Sequence, residues 1–212
     1  DRPDLVLKFY KLPTLQDPRN RYQTEKNFLE YCCALSIKNV PKLLYSNDIN
    51  CFLIMSKELG SHPDSIDQFE IASLADFILR LNKYKYTDAA KSILHGSEAC
   101  DSYQSYLDHV NLKFNRIKCM IQDKHTRHSE YQFLIDTIAP RLTYENSLVS
   151  SRSSKSHWNV DTVCSTLSPS DIGIHNMLKT DKRIIFYDFE YAGWDDCSKM
   201  FGDIVLNPNH VL

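Results

Sequence analysis

The chain has 212 residues, 42% of them apolar, which is enough for one domain with a buried core. The formal net charge of -2 gives no reason to expect nucleic acid or an anionic membrane as a partner. No apolar run approaches a membrane span and no signal peptide is visible, while the seven cysteines, an odd number, are typical of reduced thiols in a cytoplasmic protein.

The first predicted element is a strand over residues 4–10 that contains a single lysine, Lys8. An unpaired charge is costly to bury, so Lys8 needs an acidic partner if the strand is internal. The alternative is an edge strand whose lysine head lies in water.

A helix is predicted next, over residues 17–35, with Pro18 in its first turn. Apolar positions such as Phe28 mark its inner face, and Glu25 lies on that face one turn earlier, whereas Glu30 points elsewhere. We therefore predict that Glu25 pairs with the strand lysine.

Two short strands and three helices are predicted after this helix. The strands are residues 42–46 and 51–55, joined by a polar turn, and the amphipathic helices are residues 66–81, 103–121 and 130–142. Residues 145–160 are rich in serine, cannot bury much surface and are expected to form a mobile loop. A lid or a phosphorylation target is possible there, but an inert insertion is the favoured interpretation.

Two motifs near the end of the chain indicate chemistry. Asp171 is followed five positions later by Asn176, and the apolar run 184–187 ends at Asp188. A hairpin turn at Asp181 would place Asn176 opposite residue 187 and beside Asp188. Amide and carboxylate oxygens suit Mg²⁺, so Asn176 and Asp188 are predicted metal ligands. The alternative is an Asp- and Asn-rich turn beside a buried strand.

These motifs resemble the catalytic core of the aminoglycoside phosphotransferase and choline kinase-like family, which has the protein-kinase fold. The resemblance implies that Asp171 is the catalytic base and that Asn176 and Asp188 hold metal. The stretch 188–196 is similar to the family's acidic and aromatic segment, and Asp203 resembles its helix-borne Asp that braces the catalytic loop. One position departs from the pattern, since Pro169 replaces the usual His.

The resemblance extends to the start of the chain and implies a nucleotide site. In kinase-like folds a strand lysine reaches the phosphates and pairs with a helix glutamate, which are the roles expected of Lys8 and Glu25. Residues 56–60 resemble the interlobe hinge, so Met55 and Lys57 are expected beside the nucleotide, although Met55 could equally be core.

An acidic rim is expected around the substrate. Glu190 and Asp195 are candidate substrate residues, and they would suit a cationic or polyhydroxy molecule. Asp196 could share that role or, with equal weight, be the N-cap of a following helix.

The predicted fold class is α+β, a protein-kinase-like fold with two lobes. Residues 1–56 would form a partial, β-rich N-lobe, and residues 57–212 a larger, mainly helical C-lobe with catalytic and metal loops at 167–196. No glycine precedes Gly60, so the glycine-rich phosphate hairpin is expected in a part of a longer protein that this sequence does not include.

The predicted function is transfer of the γ-phosphate of Mg²⁺-ATP to a hydroxyl of a small molecule, such as an amino alcohol, a sugar or an aminoglycoside. A nucleotide-binding pseudokinase scaffold is the alternative, supported by the missing loop His and glycine hairpin. A protein kinase is disfavoured, because Asp188-Phe189-Glu190 replaces Asp-Phe-Gly and no activation segment is visible before Asp203.

Overall fold

A computed structural model describes residues 4–15, 17–100, 102–122, 128–153 and 165–207. The chain forms two compact units, residues 1–99 with 164–212 and residues 100–163. The strands are β1 (Leu5–Phe9), β2 (Leu43–Asn47), β3 (Phe52–Ser56), β4 (Ser165–Ser168), β5 (Met177–Lys179), β6 (Ile184–Phe186) and β7 (Gly193–Asp196). The helices are α1 (Arg21–Ala34), α2 (Gln68–Lys83), α3 (Tyr103–Gln122), α4 (His128–Phe133), α5 (Ala139–Ser153) and α6 (Cys197–Val205). Two 3₁₀ turns cover Asp88–Ser92 and Ile174–Asn176, and Leu134–Ile138 is a π-helical segment.

The first three strands form an antiparallel sheet in the order β1, β3, β2. The predicted strands are therefore confirmed, and β1 is at the sheet's edge among the described residues. Lys8 of β1 lies opposite the fully buried Leu53 of β3. The alternative is right that β1 is an edge strand of the described sheet, but wrong that the lysine head lies in water, because the ammonium group is held by Glu25 and Asp188.

Helix α1 begins four residues later than expected. Its N-cap is Asn20, whose side chain accepts a hydrogen bond from the Gln23 N–H at 3.1 Å, so Pro18 precedes the helix instead of occupying its first turn. A side-chain cap satisfies an N–H group that the first turn leaves without an intrahelical partner, and this fixes where the helix starts. Glu25 is buried and Glu30 exposed, which confirms the predicted inner face.

Four buried phenylalanines form the centre of the first unit. The Phe77 and Phe186 rings stack at 4.7 Å, Phe28 lies 4.7 Å from Phe189, and Phe77 lies 6.1 Å from Phe189. Since aromatic rings bury large apolar areas, this cluster fixes α1 and α2 against β6 and the residues after it. The position of Asp188, between two of these rings in the chain, follows from this packing.

The hairpin of β5 and β6 has the predicted register. Met177 pairs with Phe186, and Lys179 pairs with Ile184. The turn is closed by Thr180, whose N–H donates to the Arg183 carbonyl at 3.0 Å. The predicted hairpin is confirmed, so Asn176 lies at its open end and its carbonyl accepts from the Tyr187 N–H at 3.1 Å.

Strands β4 and β7 form a second antiparallel pair, in which Ser168 lies opposite Gly193. Gly193 has φ of +156°, and a Cβ there would lie 2.4 Å from the Leu94 carbonyl oxygen. Only glycine allows the two backbones to come this close, so the segment around residue 94 packs directly against β7.

The second unit is helical, and its last helix corrects one prediction. Predicted helix 103–121 is confirmed by α3, whereas predicted helix 130–142 is longer, running through α4, the π segment and α5. Pro140 has no N–H to donate to a carbonyl one turn earlier, which accounts for the π segment just before it.

The Ser-rich run is helical up to Ser153, so the expected loop over 145–160 is wrong for its first part, and residues 154–160 lie outside the described residues. Its serines bond back to carbonyls one turn earlier, as Ser147 does to Tyr144 at 2.7 Å and Ser150 to Asn146 at 2.9 Å. Such bonds satisfy hydroxyls within an exposed helix, so low apolar content did not require a loop.

The helix and strand content confirms the α+β class. In the described parts of the chain, no helix is both long and apolar enough to cross a membrane. The division into lobes at residue 56 stays a prediction.

Candidate active site

Lys8 is the centre of an ion-pair cluster drawn from three parts of the chain. Its Nζ lies 2.5 Å from Glu25 Oε2 and 2.5 Å from Asp188 Oδ1, with Glu190 Oε2 at 3.8 Å. The predicted Lys8–Glu25 contact is confirmed. Contact with Asp188 brings the proposed phosphate lysine and the proposed metal ligand together.

Two further side chains hold the carboxylates of this cluster. The Tyr10 hydroxyl donates to Glu25 Oε2 at 2.7 Å, and Arg21 donates to Glu190 Oε1 at 2.8 Å. Three carboxylates face two cations, leaving one formal negative charge. Such a site can accept a cation that brings a polyanion with it.

Burial and charge act in opposite directions on the pKa of both members of the central pair. Burial lowers the pKa of Lys8, but the charge of Glu25 and the hydrogen bond to Asp188 outweigh it, so the pKa is raised and the amine stays protonated at neutral pH. Burial raises the pKa of Glu25, and the attraction of Lys8 opposes that shift. Burial and the Glu25 charge also raise the pKa of Tyr10, which keeps its hydroxyl a donor.

Asp188 adopts a backbone conformation that is unusual for a non-glycine residue. Its φ is +66°, in the left-handed region, which costs about 1–3 kcal/mol. Phe186 and Phe189 are buried on either side, so the chain turns at Asp188 to keep both rings in the core while its carboxylate reaches Lys8. Such strain persists where the surrounding packing and contacts hold the backbone, as the two rings and Lys8 do here.

The donor set of the cluster fits a hard divalent cation. Carboxylate oxygens of Glu25, Asp188 and Glu190 all lie within 4.8 Å of one another. Asn176 is buried at the neighbouring hairpin end, and its Nδ2 donates to the Asp171 carbonyl at 2.9 Å, which leaves its amide oxygen as an acceptor. Carboxylate and amide oxygens are the ligands that Mg²⁺ prefers.

The loop between β4 and β5 presents Asp171 at the surface. Ser170, directly before it, also has a positive φ, at +64°, and the Ile172 N–H closes a tight turn onto the Ser170 carbonyl at 2.8 Å. The Asp171 side chain is 45% exposed, so a substrate hydroxyl could reach it.

Each carboxylate oxygen of Asp171 is approached by a nitrogen. Asn207 Nδ2 donates to Oδ1 at 3.2 Å, and His175 Nε2 lies 3.4 Å from Oδ2. Neither residue was predicted from the sequence to lie at the site. His175 lies within the Asp-to-Asn motif and could have been noticed, whereas no local pattern marks Asn207, which is 36 positions away.

Helix α2 fixes the strand that leads into this loop. The amide of Asn82 donates to the Leu167 carbonyl at 3.0 Å and accepts from the Leu167 N–H at 2.8 Å, as a neighbouring strand would. Sequence reasoning missed Asn82 as well, since a polar residue in an amphipathic helix gives no such signal.

Other residues expected at the site lie apart from these contacts. Met55 is a buried core residue of β3, and Lys57 is exposed with its Nζ 3.3 Å from Asp4.

Asp195 is buried, and its Oδ2 lies 3.1 Å from Lys199, so it does not contribute an open acidic rim. Asp196 is the N-cap of α6, accepting from the N–H groups of residues 198 and 199, which confirms the N-cap interpretation. Asp203 pairs with Lys199 at 2.5 Å.

Comparisons with known proteins identify the fold. No protein-family model and no curated protein matches the sequence. Among solved structures, this chain is similar to a choline/ethanolamine kinase family protein from Mesorhizobium loti, with a TM-score of 0.57 and 14% sequence identity. The match covers 98% of this chain and 60% of that chain. The likeness shows a shared, choline kinase-like fold.

Proposed function

We propose that this protein is a small-molecule kinase that transfers the γ-phosphate of ATP to a hydroxyl group. One observation carries the proposal: Lys8 from β1 joins Glu25 from α1 and Asp188 from the end of β6, at the open end of the hairpin that bears Asn176. The shared fold with a choline/ethanolamine kinase family protein supports it.

Phosphoryl transfer needs mainly positioning and charge neutralisation, and the side chains of this site suit both tasks. Lys8, held by Glu25, would bind phosphate oxygens. Asp171 would accept or orient the proton of the substrate hydroxyl, as its exposure permits. Asn176 is hydrogen-bonded to the Asp171 carbonyl, so the base and the proposed metal ligand are positioned together.

Asn176 and Asp188 would hold Mg²⁺, with Glu190 close enough to contribute. When bound, the ion would neutralise charge on the nucleotide phosphates. For Asp188 to bind a cation through both oxygens, Lys8 would have to leave Oδ1, and phosphate oxygens offer Lys8 an alternative partner.

The acceptor is proposed to be a small amino alcohol, sugar or aminoglycoside-like molecule, because Asp171 gives the site an exposed carboxylate. Glu190 is paired with Arg21, so its contribution to an acidic rim is smaller than the sequence predicts. Asp195 is left out of this proposal, since its carboxylate is buried against Lys199.

A nucleotide-binding scaffold is the second candidate. The close contact between Lys8 and Asp188 favours it, because a lysine can satisfy that carboxylate without any metal. The two candidates differ in whether Asp171 is needed.

The test is a screen of ATP consumption by the full-length protein against amino alcohols, sugars and aminoglycosides, followed by Asp171→Asn. General-base catalysis is typically worth on the order of 10²–10⁴-fold, so turnover should fall by about that factor while nucleotide affinity, measured by calorimetry, stays unchanged. Asp181→Asn, at the exposed tip of the β5–β6 hairpin, is the matched control and should keep wild-type turnover. Nucleotide binding without turnover of any acceptor would replace the kinase proposal with the scaffold.

A further inference from the structure

We infer that Asn207, which follows α6, is a positioning residue that fixes the carboxylate of Asp171 for catalysis. The inference rests on the proposed function, in which Asp171 is the base. It assigns a role to a residue 36 positions from the motif, joined to it only by the fold.

The carboxylate of Asp171 needs an external constraint. The residue is on an exposed loop, and its neighbour Ser170 has the strained φ of +64°. An exposed aspartate can rotate about its side-chain bonds, and this freedom would lower the fraction of time in which an oxygen faces the substrate hydroxyl. The backbone is fixed by the bond from Asn176, but that bond ends on the Asp171 carbonyl and does not constrain the side chain.

Asn207 supplies the constraint on Oδ1. Its Nδ2 donates at 3.2 Å, and a donor to a charged acceptor makes a stronger bond than a neutral pair does. A neutral amide orients the carboxylate without adding a positive charge that would reduce its basicity. His175 Nε2, at 3.4 Å from Oδ2, approaches the opposite oxygen, so both sides of the carboxylate have a neighbour.

Asn207, just after α6, makes the contact with the catalytic loop that the sequence predicts for Asp203. Asp203 accepts from Lys199 on the same helix at 2.5 Å, so its carboxylate is engaged within α6. Asn207 lies just past the end of α6, where the Leu206 N–H bonds back to the Gly202 carbonyl at 2.9 Å and closes the helix. The helix end thus directs Asn207 toward the loop.

A double-mutant cycle in the full-length protein separates positioning from a structural role. Asn207→Ala should lower kcat on the order of 10-fold, the value expected for losing one hydrogen bond to a charged group, with KM for ATP unchanged. In an Asp171→Asn background the same substitution should change kcat less than about twofold, because no carboxylate remains to be oriented. Leu206→Ala, a change of an exposed neighbour, should leave kcat unchanged.

Each outcome of the double-mutant cycle either supports or overturns the positioning role of Asn207. Equal losses of kcat in both backgrounds, or wild-type kcat in Asn207→Ala, overturn the inference alone. A wild-type protein that phosphorylates no acceptor overturns the proposed function, and the role of Asn207 with it. If Asn207→Ala melts at a lower temperature, Asn207→Asp keeps the side-chain size while removing the donor, and it should lower kcat at least as much.

Discussion

Lys8 and Lys199 each contact two carboxylates at similar distances. Lys8, 26% exposed, contacts Glu25, 2% exposed, and Asp188, 39% exposed, both at 2.5 Å. Lys199, 10% exposed, lies 3.1 Å from Asp195, 2% exposed, and 2.5 Å from Asp203, 40% exposed. In both clusters burial lowers the pKa of the lysine, but the neighbouring carboxylates raise it by more. The pKa of each lysine is therefore raised.

The two clusters differ in the origin of their members. Lys199 lies only four residues from each partner: Asp203 is one turn further along α6, and Asp195 is in β7 just before the helix N-cap. Lys8 is 17 residues from Glu25 and 180 from Asp188, and only the packed fold unites them. Asp188 also adopts the strained φ of +66°. Similar ion-pair chemistry therefore stabilises a helix in one place and builds a candidate site in the other.

The largest expected difference between the clusters is in activity. If Asp188 is the metal ligand proposed above, Asp188→Ala should abolish Mg²⁺-dependent turnover while the protein stays folded. Asp203→Ala is the matched variant, with nearly the same side-chain exposure and the same 2.5 Å distance to its lysine, and its turnover should stay within a few-fold of wild type. Turnover assays on both variants make the comparison, and unchanged Mg²⁺-ATP turnover in Asp188→Ala contradicts the metal assignment.

The two most buried carboxylates should matter to stability in both clusters. In each cluster the lysine keeps a second carboxylate, so Glu25→Ala and Asp195→Ala should each lower the free energy of unfolding by about 1–3 kcal/mol, the usual cost of losing one partner of a hydrogen bond to a charged group. Only Glu25→Ala should also weaken nucleotide binding, because Lys8 would lose its fixed position. Urea unfolding with parallel calorimetry tests this, and equal nucleotide affinity in the two variants would remove the distinction.

Alkaline pH should expose the contribution of Lys199. Its pKa is raised in the folded state from the ordinary 10.5, so its stabilising contribution is complete below that value and is lost as pH rises through the folded-state pKa. The free energy of unfolding should therefore fall above about pH 10.5, and the fall should be smaller in Lys199→Met. Denaturant unfolding at stepped pH measures it, and identical slopes in the two proteins would contradict the role.

The smallest expected effect comes from the helix that carries Lys199. Asp196 caps α6 through the N–H groups of residues 198 and 199, at 2.9 and 3.1 Å. Asp196→Ala should lower the free energy of unfolding by about 1 kcal/mol, the usual value for an N-cap. Asp196→Ser should restore most of it, and a larger loss of activity than of stability would show that Asp196 has a second role.

Local patterns made much of the fold predictable from the sequence. The Thr180 turn and the alternating residues beside it specify the register of β5 and β6, and apolar spacing specifies the inner face of α1. Where local patterns conflict, the prediction failed. The side-chain cap from Asn20 moved the start of α1 to Arg21, and the serines through Ser153 stay in α5 with hydroxyls that bond back to helix carbonyls.

By itself, the sequence determined where key residues lie within the local elements: Lys8 in a strand, Glu25 on the inner face of a helix, and Asn176 and Asp188 beside each other at the open end of a hairpin. These follow from periodicities of two and 3.6 residues that any short segment displays. Only the tertiary structure decided that Asp188 contacts Lys8, that Asn207 reaches Asp171, and that Asp195 is buried instead of facing substrate. The first two contacts join residues more than 30 positions apart, and the third depends on which face of a strand the core covers. Neither property can be read from the spacing of residues within a short segment.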